Sequence, residues 1–531
     1  MAKPLSYQQL TNFGVNGLNT QNNPATLDPS YLTSADNIVL RESGRISFRK
    51  GFKQKVVPTG VAIGSMVEHN DQGTNKIFAS HGTSIYTIDF TAPNAAFPSS
   101  GADVKHTVGS TTADWQFVNF NNRLHCFHTG VIPQRYDGSL SSGAKWTAHA
   151  TDPASITTLF DPSCGMGFYG RIWCGGVTEA KDVVYWSNLL DGDDWTGGDT
   201  GLLDLSKIWG TDEIVAIAPF YGKLIIFGTN NIAVYNSPTA VGSLALDEVI
   251  SGIGCVSRDS VQAIGDDLVF LSSTGLRSLA RTTEKDKLPL MDLTINIKDT
   301  VIRNIGNSTN VKSVYVESEG VYIMSFVDLN VQYVFDFKHI TPQEAPRITT
   351  WTFDNNREPA SMINTELYSG LLVGQKDGSI AGYEGYFDTD LAWVSSAASY
   401  TNAAITADVS SVWIPMGETV TASILKKMIL VLEGGSGAVL GLRWYKDFSI
   451  NSSSTTQINL APVTTGTTAL WGASTSLWGD VKYTPIFGLQ EYQTALTGSA
   501  KHLKLNMSIV SNGFDTSIQD LSLISLQGKI R

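Results

Sequence analysis

The sequence is poor in features that would point to a definite chemistry. It has four cysteines in 531 residues, and none forms a C-x-x-C pair, so it lacks the spacing of a zinc or redox motif. Three of them fall in or beside expected strands, which predicts reduced, buried thiols. No run approaches the roughly eighteen apolar residues of a membrane helix, and the amino terminus lacks a signal-peptide core. We therefore expect a soluble protein, made in the cytosol, without a membrane-spanning segment.

Motifs of the common enzyme classes are also missing. The sequence has no G-x-S-x-G, no P-loop and no G-x-G-x-x-G, and Gly165-Met166-Gly167 leads into a strand instead of a helix. His125 and His128 would point to opposite faces of a strand, which argues against a shared metal. The acidic cluster 191–195 lacks the full EF-hand loop, so capping of a turn is favoured over Ca²⁺. We expect no enzyme, no metal and no cofactor, although a distant carboxylate pair for glycoside hydrolysis stays open.

Charge is scarce and unevenly spread. Charged residues make up 16% of the chain and the net charge is −12. Residues 1–58 hold seven basic and three acidic groups, and residues 395–531 hold nine and eight, which leaves 21 basic and 38 acidic groups in residues 59–394. An acidic middle region argues against tight phosphate binding. It is compatible with a surface that DNA passes without sticking, or with ordinary solubility.

What the sequence does contain is a repeat of β-hairpins. A turn signal precedes an apolar strand and a second strand follows, as in Gly222–Phe227 and Asn230–Tyr235. The first apolar residues after the turns recur at steps of 44 to 53 residues: Ile77, Leu124, Ile172, Leu224, Leu268, Val321 and Leu367. The closing residues of the return strands recur at steps of 44 to 56: Tyr86, Tyr136, Tyr185, Tyr235, Leu279, Phe335 and Tyr383.

Such a period predicts an all-β protein with a β-propeller over residues 59–394. Seven units are visible, and we allow six to eight blades. One four-stranded blade cannot cover its own apolar faces, whereas a closed ring of blades covers them. A set of β-sandwiches is the competing interpretation, but it would not require so constant a period.

The segments on either side of the repeat differ from it. Residues 1–58 predict an extended arm followed by short strands, with a basic cluster that could meet DNA phosphates or an acidic neighbour: Arg41, Arg45, Arg49, Lys50, Lys53 and Lys55. Residues 395–531 predict a β-sandwich of jelly-roll type, with an alternating strand at 503–509. Between its strands, Trp471 and Trp478 are candidate interface residues, with a local minicore as the alternative.

Three stretches of the chain, in order, resemble one protein family. The first comprises Gly14–Thr20, Asn23-Pro24, Leu32–Asn37, Gly44 and Arg49-Lys50-Gly51-Phe52. The second is Tyr185–Asn188 with Asp194-Trp195, and the third is 254–276. Together they resemble the tail nozzle proteins, also called tail tubular protein B, of short-tailed bacteriophages. Past residue 400 only the strand character is similar.

The resemblance implies a structural virion protein without catalysis, assembled in the host cytoplasm. In that family six copies form a ring beneath the portal and adaptor, and tail fibres or spikes contact the assembly. The ring retains the genome and lets it out at ejection, so DNA contact would be transient and non-specific. A glycan-binding or glycan-cleaving receptor-recognition propeller is the alternative, and a host scaffold propeller is a third possibility.

Overall fold

The structure is a computed structural model. It describes residues 5–41, 45–56, 58–88, 90, 105–108, 114–236, 244–279, 292–308, 310–354, 356–368, 370–385, 389–394, 399–416, 421–434, 439–460, 489–510 and 516–527. The chain forms two compact units. The propeller unit comprises Gln54–Gln332 and Phe353–Tyr383. The terminal unit comprises Met1–Lys53, Tyr333–Thr352 and Glu384–Arg531.

The first six strands occupy the amino-terminal part of the chain. They are β1 Leu5–Gln9, β2 Gly17–Leu18, β3 Tyr31–Asp36, β4 Ile38–Leu40, β5 Ile46–Phe48 and β6 Phe52–Val56.

Successive hairpins follow, and most of their strands form sheets of three or four. They are β7 Ile63–Asp71, β8 Thr74–His81, β9 Ser84–Ile88 and β10 Lys105–Thr107; β11 Gln116–Phe120, β12 Arg123–His128, β13 Val131–Tyr136 and β14 Trp146–Ala148; β15 Cys164–Phe168, β16 Arg171–Gly175, β17 Val183–Trp186 and β18 Gly201–Asp204; β19 Ile214–Phe220, β20 Lys223–Gly228, β21 Asn231–Asn236 and β22 Ala245–Ser251; β23 Gln262–Ile264, β24 Asp267–Ser272 and β25 Gly275–Ser278; β26 Val311–Val316, β27 Val321–Phe326, β28 Val331–Ile340 and β29 Pro346–Trp351; and β30 Pro359–Thr365, β31 Gly370–Gln375 and β32 Ile380–Tyr383.

The last eleven strands lie in the carboxyl-terminal part. They are β33 Thr389–Val394, β34 Ser399–Ala404, β35 Thr406–Ser411, β36 Ile414–Pro415, β37 Ser423–Gly434, β38 Val439–Lys446, β39 Thr456–Asn459, β40 Leu489–Ala495, β41 Ser499–Ala500, β42 His502–Val510 and β43 Thr516–Leu526. Helices are rare among the described residues: α1 spans Ser206–Trp209 and α2 spans Lys298–Asn307. Neither of these helices has the length and apolarity needed to cross a membrane.

The propeller unit is a β-propeller, so the predicted all-β fold and its repeat are confirmed. Each sheet runs in chain order from its first, innermost strand outward, and the blade count lies within the predicted six to eight. Side chains of neighbouring sheets pack together, as Trp173 of one sheet and Leu224 of the next do in one buried cluster. The ring closes where Leu372 and Ile380 of the last sheet pack against Ile63 of the first.

The residues that mark the repeat lie mainly where the prediction placed them. Six of the seven first markers lie in the second strands of their sheets, from Ile77 in β8 to Val321 in β27. The seventh, Leu367, was wrongly placed: it is exposed in the turn before β31, and Leu371 is the buried strand residue. The cause is an apolar residue within the turn itself: Leu367 is the first apolar residue after β30, but it precedes the buried residues of β31.

The terminal unit contains both ends of the chain and the segment Tyr333–Thr352. The sequence instead predicted residues 1–58 and 395–531 to be two separate segments. Strand β1 pairs with β43, β5 also pairs with β43, and β3 pairs with β35. One sheet has the order β4-β5-β43-β37-β40, with β1 on β43 and β41 on β37. The predicted alternating strand is confirmed in β42, where Leu503, Leu505, Met507 and Ile509 are buried.

All four cysteines are free and buried, as the sequence predicts. Burial raises the pKa of Cys164 to about 12 and that of Cys255 to about 11. Because the thiolate is the reactive form, these thiols are inert packing groups.

Candidate functional site

The basic residues predicted for an interface are placed in different environments in the terminal unit. Arg45 Nη1 lies 2.7 Å from Glu433 Oε2, and both side chains are partly exposed. Arg41 Nε donates to Ser47 Oγ at 3.3 Å. Lys50 is half-buried. Thus Arg41, Arg45 and Lys50 remain at or near the surface, whereas Trp471 and Trp478 lie outside the described residues.

Arg49 is a structural residue and not a surface cation. Its side chain is only 1% exposed, and its guanidinium donates to Asn37 Oδ1 at 2.8 Å and to the Thr352 carbonyl at 3.2 Å. The same group lies 5.5 Å from the centre of the Phe52 ring and 5.9 Å from that of Trp351. Because these contacts use its charge, its planar face and its donors, Arg49 cannot reach DNA phosphates.

We expect Arg49→Lys to lower the free energy of unfolding by about 1–2 kcal/mol, because an ammonium cannot reproduce the forked hydrogen bonds or stack on both rings. Urea unfolding followed by tryptophan fluorescence measures the change. Arg45→Lys is the matched control and should cost about 0.5 kcal/mol or less, since its ion pair is exposed. Equal costs for the two substitutions would contradict the structural role of Arg49.

The propeller unit has a network of four charged groups where its innermost strands converge. Arg258 Nε lies 3.0 Å from Asp259 Oδ1, and Lys312 Nζ lies 2.6 Å from Asp259 Oδ2. Asp114 Oδ1 lies 2.8 Å from Arg258 Nη2 and also pairs with Lys312. We call these four residues the axial network. It ties together the chain before β11, the 3-10 turn Arg258–Ser260 and strand β26.

The charges of the axial network hold one another ionised. Burial alone would raise the pKa of Asp259, but Arg258 and Lys312 outweigh that effect and lower it. Burial would likewise lower the pKa of Lys312, and Asp259 and Asp114 together raise it. Two cations and two anions balance, so the network is a neutral assembly made of charged parts.

A depression of about 1070 Å³ lies on one side of the axial network. It is lined by β10, by starts of inner strands and by β12, β13 and the turn between them, including His106, His128, Gln134 and Ser163. A smaller cavity of about 180 Å³, lined by Lys312 and by residues of β7, β11, β23, β26 and β30, shares Asp259 with the depression. The axial network therefore lies between the two spaces.

A second polar cluster is buried between neighbouring blades. Trp195 Nε1 donates to His149 Nδ1 at 3.1 Å, so His149 carries its proton on Nε2 and donates it to His125 Nδ1 at 3.0 Å. Burial, with Arg135 and Arg123 adding to it, lowers the pKa of His125 to about 3, and burial lowers the pKa of His149 as well. Both imidazoles are therefore neutral at pH 7.

Asp193 completes this cluster and raises the question of a metal. Its Oδ1 lies 3.8 Å from His125 Nδ1 and 3.6 Å from His149 Nε2, a spacing within reach of one cation. However, the proton on His149 Nε2 occupies a ligand position, and Arg135 and Arg123 bind Asp193 Oδ2. This arrangement favours hydrogen-bonded neutral imidazoles over a dication.

In the acidic cluster 191–195, Asp194 caps a turn, as the sequence predicts, whereas Asp193 does not. Asp194 Oδ1 accepts from the backbone of Thr196 at 3.0 Å and of Gly197 at 2.9 Å. Asp193 instead points inward and is buried. His125 faces His149 and not His128, whose ring packs on Trp115.

Comparison with known proteins adds little to this description. No protein-family model matches the sequence, and no curated protein matches it. Solved structures with similar backbones include the WD40 domain of Pan2 from Neurospora crassa. That match has 6% sequence identity and a TM-score of 0.38, and it covers 63% of this chain and 95% of the other.

Proposed function

We propose that this chain is a non-catalytic structural subunit of the tail nozzle of a short-tailed bacteriophage. Several copies, six by analogy with that family, would form a ring that retains DNA and conducts it at ejection. The ordered series of motifs within residues 1–280 motivates the proposal. Partners would be further copies of the chain, the adaptor and portal proteins, and tail fibres or spikes.

The axial network is the structural observation that supports an assembly best. Because Arg258, Asp259, Lys312 and Asp114 bridge the inner strands, the propeller of one copy offers no passage along its axis for a DNA duplex, whose major groove alone is about 12 Å wide. A conduit for DNA must then be enclosed by several copies. The excess of acidic groups in residues 59–394 would repel phosphates, so that DNA slides without binding.

The residues of the amino-terminal arm that carry the family resemblance have structural roles in the terminal unit. Gly17 has a φ of +74°, and a Cβ added there would lie 2.6 Å from the Ile348 carbonyl oxygen. Arg49 and Phe52 belong to the buried stack against Trp351. These roles explain why a Gly at 17, an Arg at 49 and a Phe at 52 are needed in a unit that joins both chain ends.

The depression beside the axial network favours one second candidate, a glycan-binding propeller. Its volume and its mixed polar lining suit a small sugar. Glycan cleavage is less well supported, because a general acid needs a raised pKa and Asp259 has a lowered one.

Assembly of the purified chain tests the proposal. Negative-stain electron microscopy, together with light scattering after size exclusion, should show rings with a central hole, alone or after addition of the cognate adaptor and portal. Monomers in the presence of both partners would contradict it. Release of sugar fragments from host polysaccharide would overturn the non-catalytic part of the proposal.

A further inference from the structure

Two-residue hairpin turns connect the first and second strands of neighbouring blades, and their residues differ in an informative way. The turns after β11, β15 and β19 are Asn121-Asn122, Tyr169-Gly170 and Tyr221-Gly222. All six residues have positive φ, the conformation of the tight turns that match strand twist. Asparagine and glycine suit this backbone, whereas tyrosine is rarely found in it. The first position of these three turns therefore holds a favoured residue once, Asn121, and a disfavoured tyrosine twice, Tyr169 and Tyr221.

The disfavoured residues are also exposed, although each ring contacts the phenylalanine before it, at 4.3 Å between ring centres for Tyr169 and 4.6 Å for Tyr221. Tyr169 has a φ of +49° and is 43% exposed, and Tyr221 has a φ of +46° and is 70% exposed. Leu190, in the loop after β17, has a φ of +59° and is 62% exposed. Bulky side chains held in strained backbone and left in solvent are typical of positions kept for recognition.

These side chains form one continuous surface, which we call the tyrosine-leucine patch: Tyr169, Leu189, Leu190 and Tyr221. The Leu190 backbone N–H donates to the Gly170 carbonyl at 2.7 Å, and its carbonyl accepts from Asn121 Nδ2 at 2.8 Å. A Cβ added at Gly170 would lie 3.1 Å from Leu189, and one added at Gly222 would lie 3.3 Å from Tyr169 Oη. The patch thus spans two blades and is fixed by hydrogen bonds to a third.

The charges around the patch indicate what it would bind. Exposed or partly exposed acidic residues flank it: Asp191 follows Leu190, the Asp266 carbonyl accepts from Tyr221 Oη, and the Asp199 carbonyl accepts from Arg171. Arg123 lies 3.9 Å from Asp191 Oδ1, but it also pairs with Asp137 at 2.9 Å, so it does not reverse the acidic character. The nearby Lys223 is already paired with Asp247 at 2.6 Å. An apolar surface with an acidic rim complements apolar side chains accompanied by positive charge.

We propose that the tyrosine-leucine patch is a docking surface for a protein segment that presents apolar side chains between lysines or arginines. Tyrosines supply large contact area with little conformational entropy to lose, and the left-handed turns hold them outward before the partner arrives. The inference does not depend on the tail function, because it rests on the turn geometry and the acidic rim alone.

Selection of a displayed library of random short peptides against the purified chain tests this surface. We expect enriched peptides to combine apolar residues with lysine or arginine. Their synthetic versions should bind the double variant Tyr169→Asn/Tyr221→Asn about tenfold or more weakly. The same variant should melt about 1–3 °C higher, because asparagine relieves the backbone strain as it does at Asn121. Val61→Asn is the matched control, since Val61 is 45% exposed beside the β8–β9 turn, and it should leave binding unchanged.

Several outcomes would overturn the proposal. They are a selection that enriches no peptide, enriched peptides that are not basic, and equal binding to the double variant. A lower melting temperature of the double variant would show that the tyrosines serve packing. A concentration-dependent dimer abolished by the double variant would make a second copy of the chain the occupant, which contradicts a heterologous segment.

Discussion

Replacing Lys312 with methionine is expected to lower the free energy of unfolding of the propeller unit by about 3–5 kcal/mol. The substitution keeps the apolar length of the side chain but leaves Asp259 with one of its two cations. The Lys312 side chain is 7% exposed and that of Asp259 is 27% exposed, so water replaces the lost partner only in part. Urea unfolding at neutral pH measures the loss.

Lys181→Met provides the matched control for this prediction. Lys181 pairs with Glu213 at 2.6 Å in the same unit, but both side chains are more than half exposed. Its loss should cost about 1 kcal/mol or less. Similar losses for the two variants would mean that the axial network does not hold the inner strands together.

Acidification below about pH 6.5 is expected to destabilise the propeller unit steeply, because the unfolded chain binds protons that the folded chain excludes. The pKa of His125 falls to about 3 on folding and that of His149 is also lowered, both chiefly by burial. A histidine whose folded pKa is depressed contributes its full stability above the unfolded pKa and loses it as pH falls. The free energy of unfolding should therefore drop by about 1.4 kcal/mol per pH unit for each of the two histidines.

The variant His125→Asn isolates this effect. Urea midpoints measured from pH 8 to pH 4.5 should fall less steeply for the variant than for the parent chain. The cost of the substitution at pH 8, where both imidazoles are neutral, serves as the internal reference. Parallel curves for parent and variant would show that His125 does take up its proton in the folded state.

The propeller could be predicted because its cause is local and repeated. Each blade needs a buried second strand and a turn, so Leu124, Ile172 and Leu224 recur at nearly constant spacing. The turns themselves were visible as Asn and Gly signals. Leu367 was misplaced because it is an apolar residue of the turn itself and precedes the buried strand residue Leu371.

The axial network and the histidine cluster could not be predicted in the same way. Asp114 and Lys312 are far apart in sequence, and only ring closure brings them to the same place. A weak signal was available, since Lys312 interrupts the apolar strand Val311–Val316 and buried lysines are rare without a partner. His125 lies in β12 and His149 directly follows β14 of the same blade, and no spacing rule relates them.

Arg49 was predicted to be an interface residue, but its side chain is buried. A basic residue at an alternating position of a short strand is usually solvated, and no pattern in the chain indicates that two aromatic rings cover Arg49. Phe52 is nearby in the chain, but Trp351 comes from a segment that returns after the propeller. The terminal unit is made of segments that are distant in the chain, whereas the predicted domains, divided after residues 58 and 394, were each continuous in sequence.

Cryo-electron microscopy of the assembled protein tests most directly whether DNA would pass between copies and not through one propeller. We predict a ring whose central hole is bounded by several copies, while density for Arg258, Asp259 and Lys312 fills the axis of every propeller. Particles that remain single copies with adaptor and portal present, or rings whose only passage follows the axis of an individual propeller, would contradict that prediction.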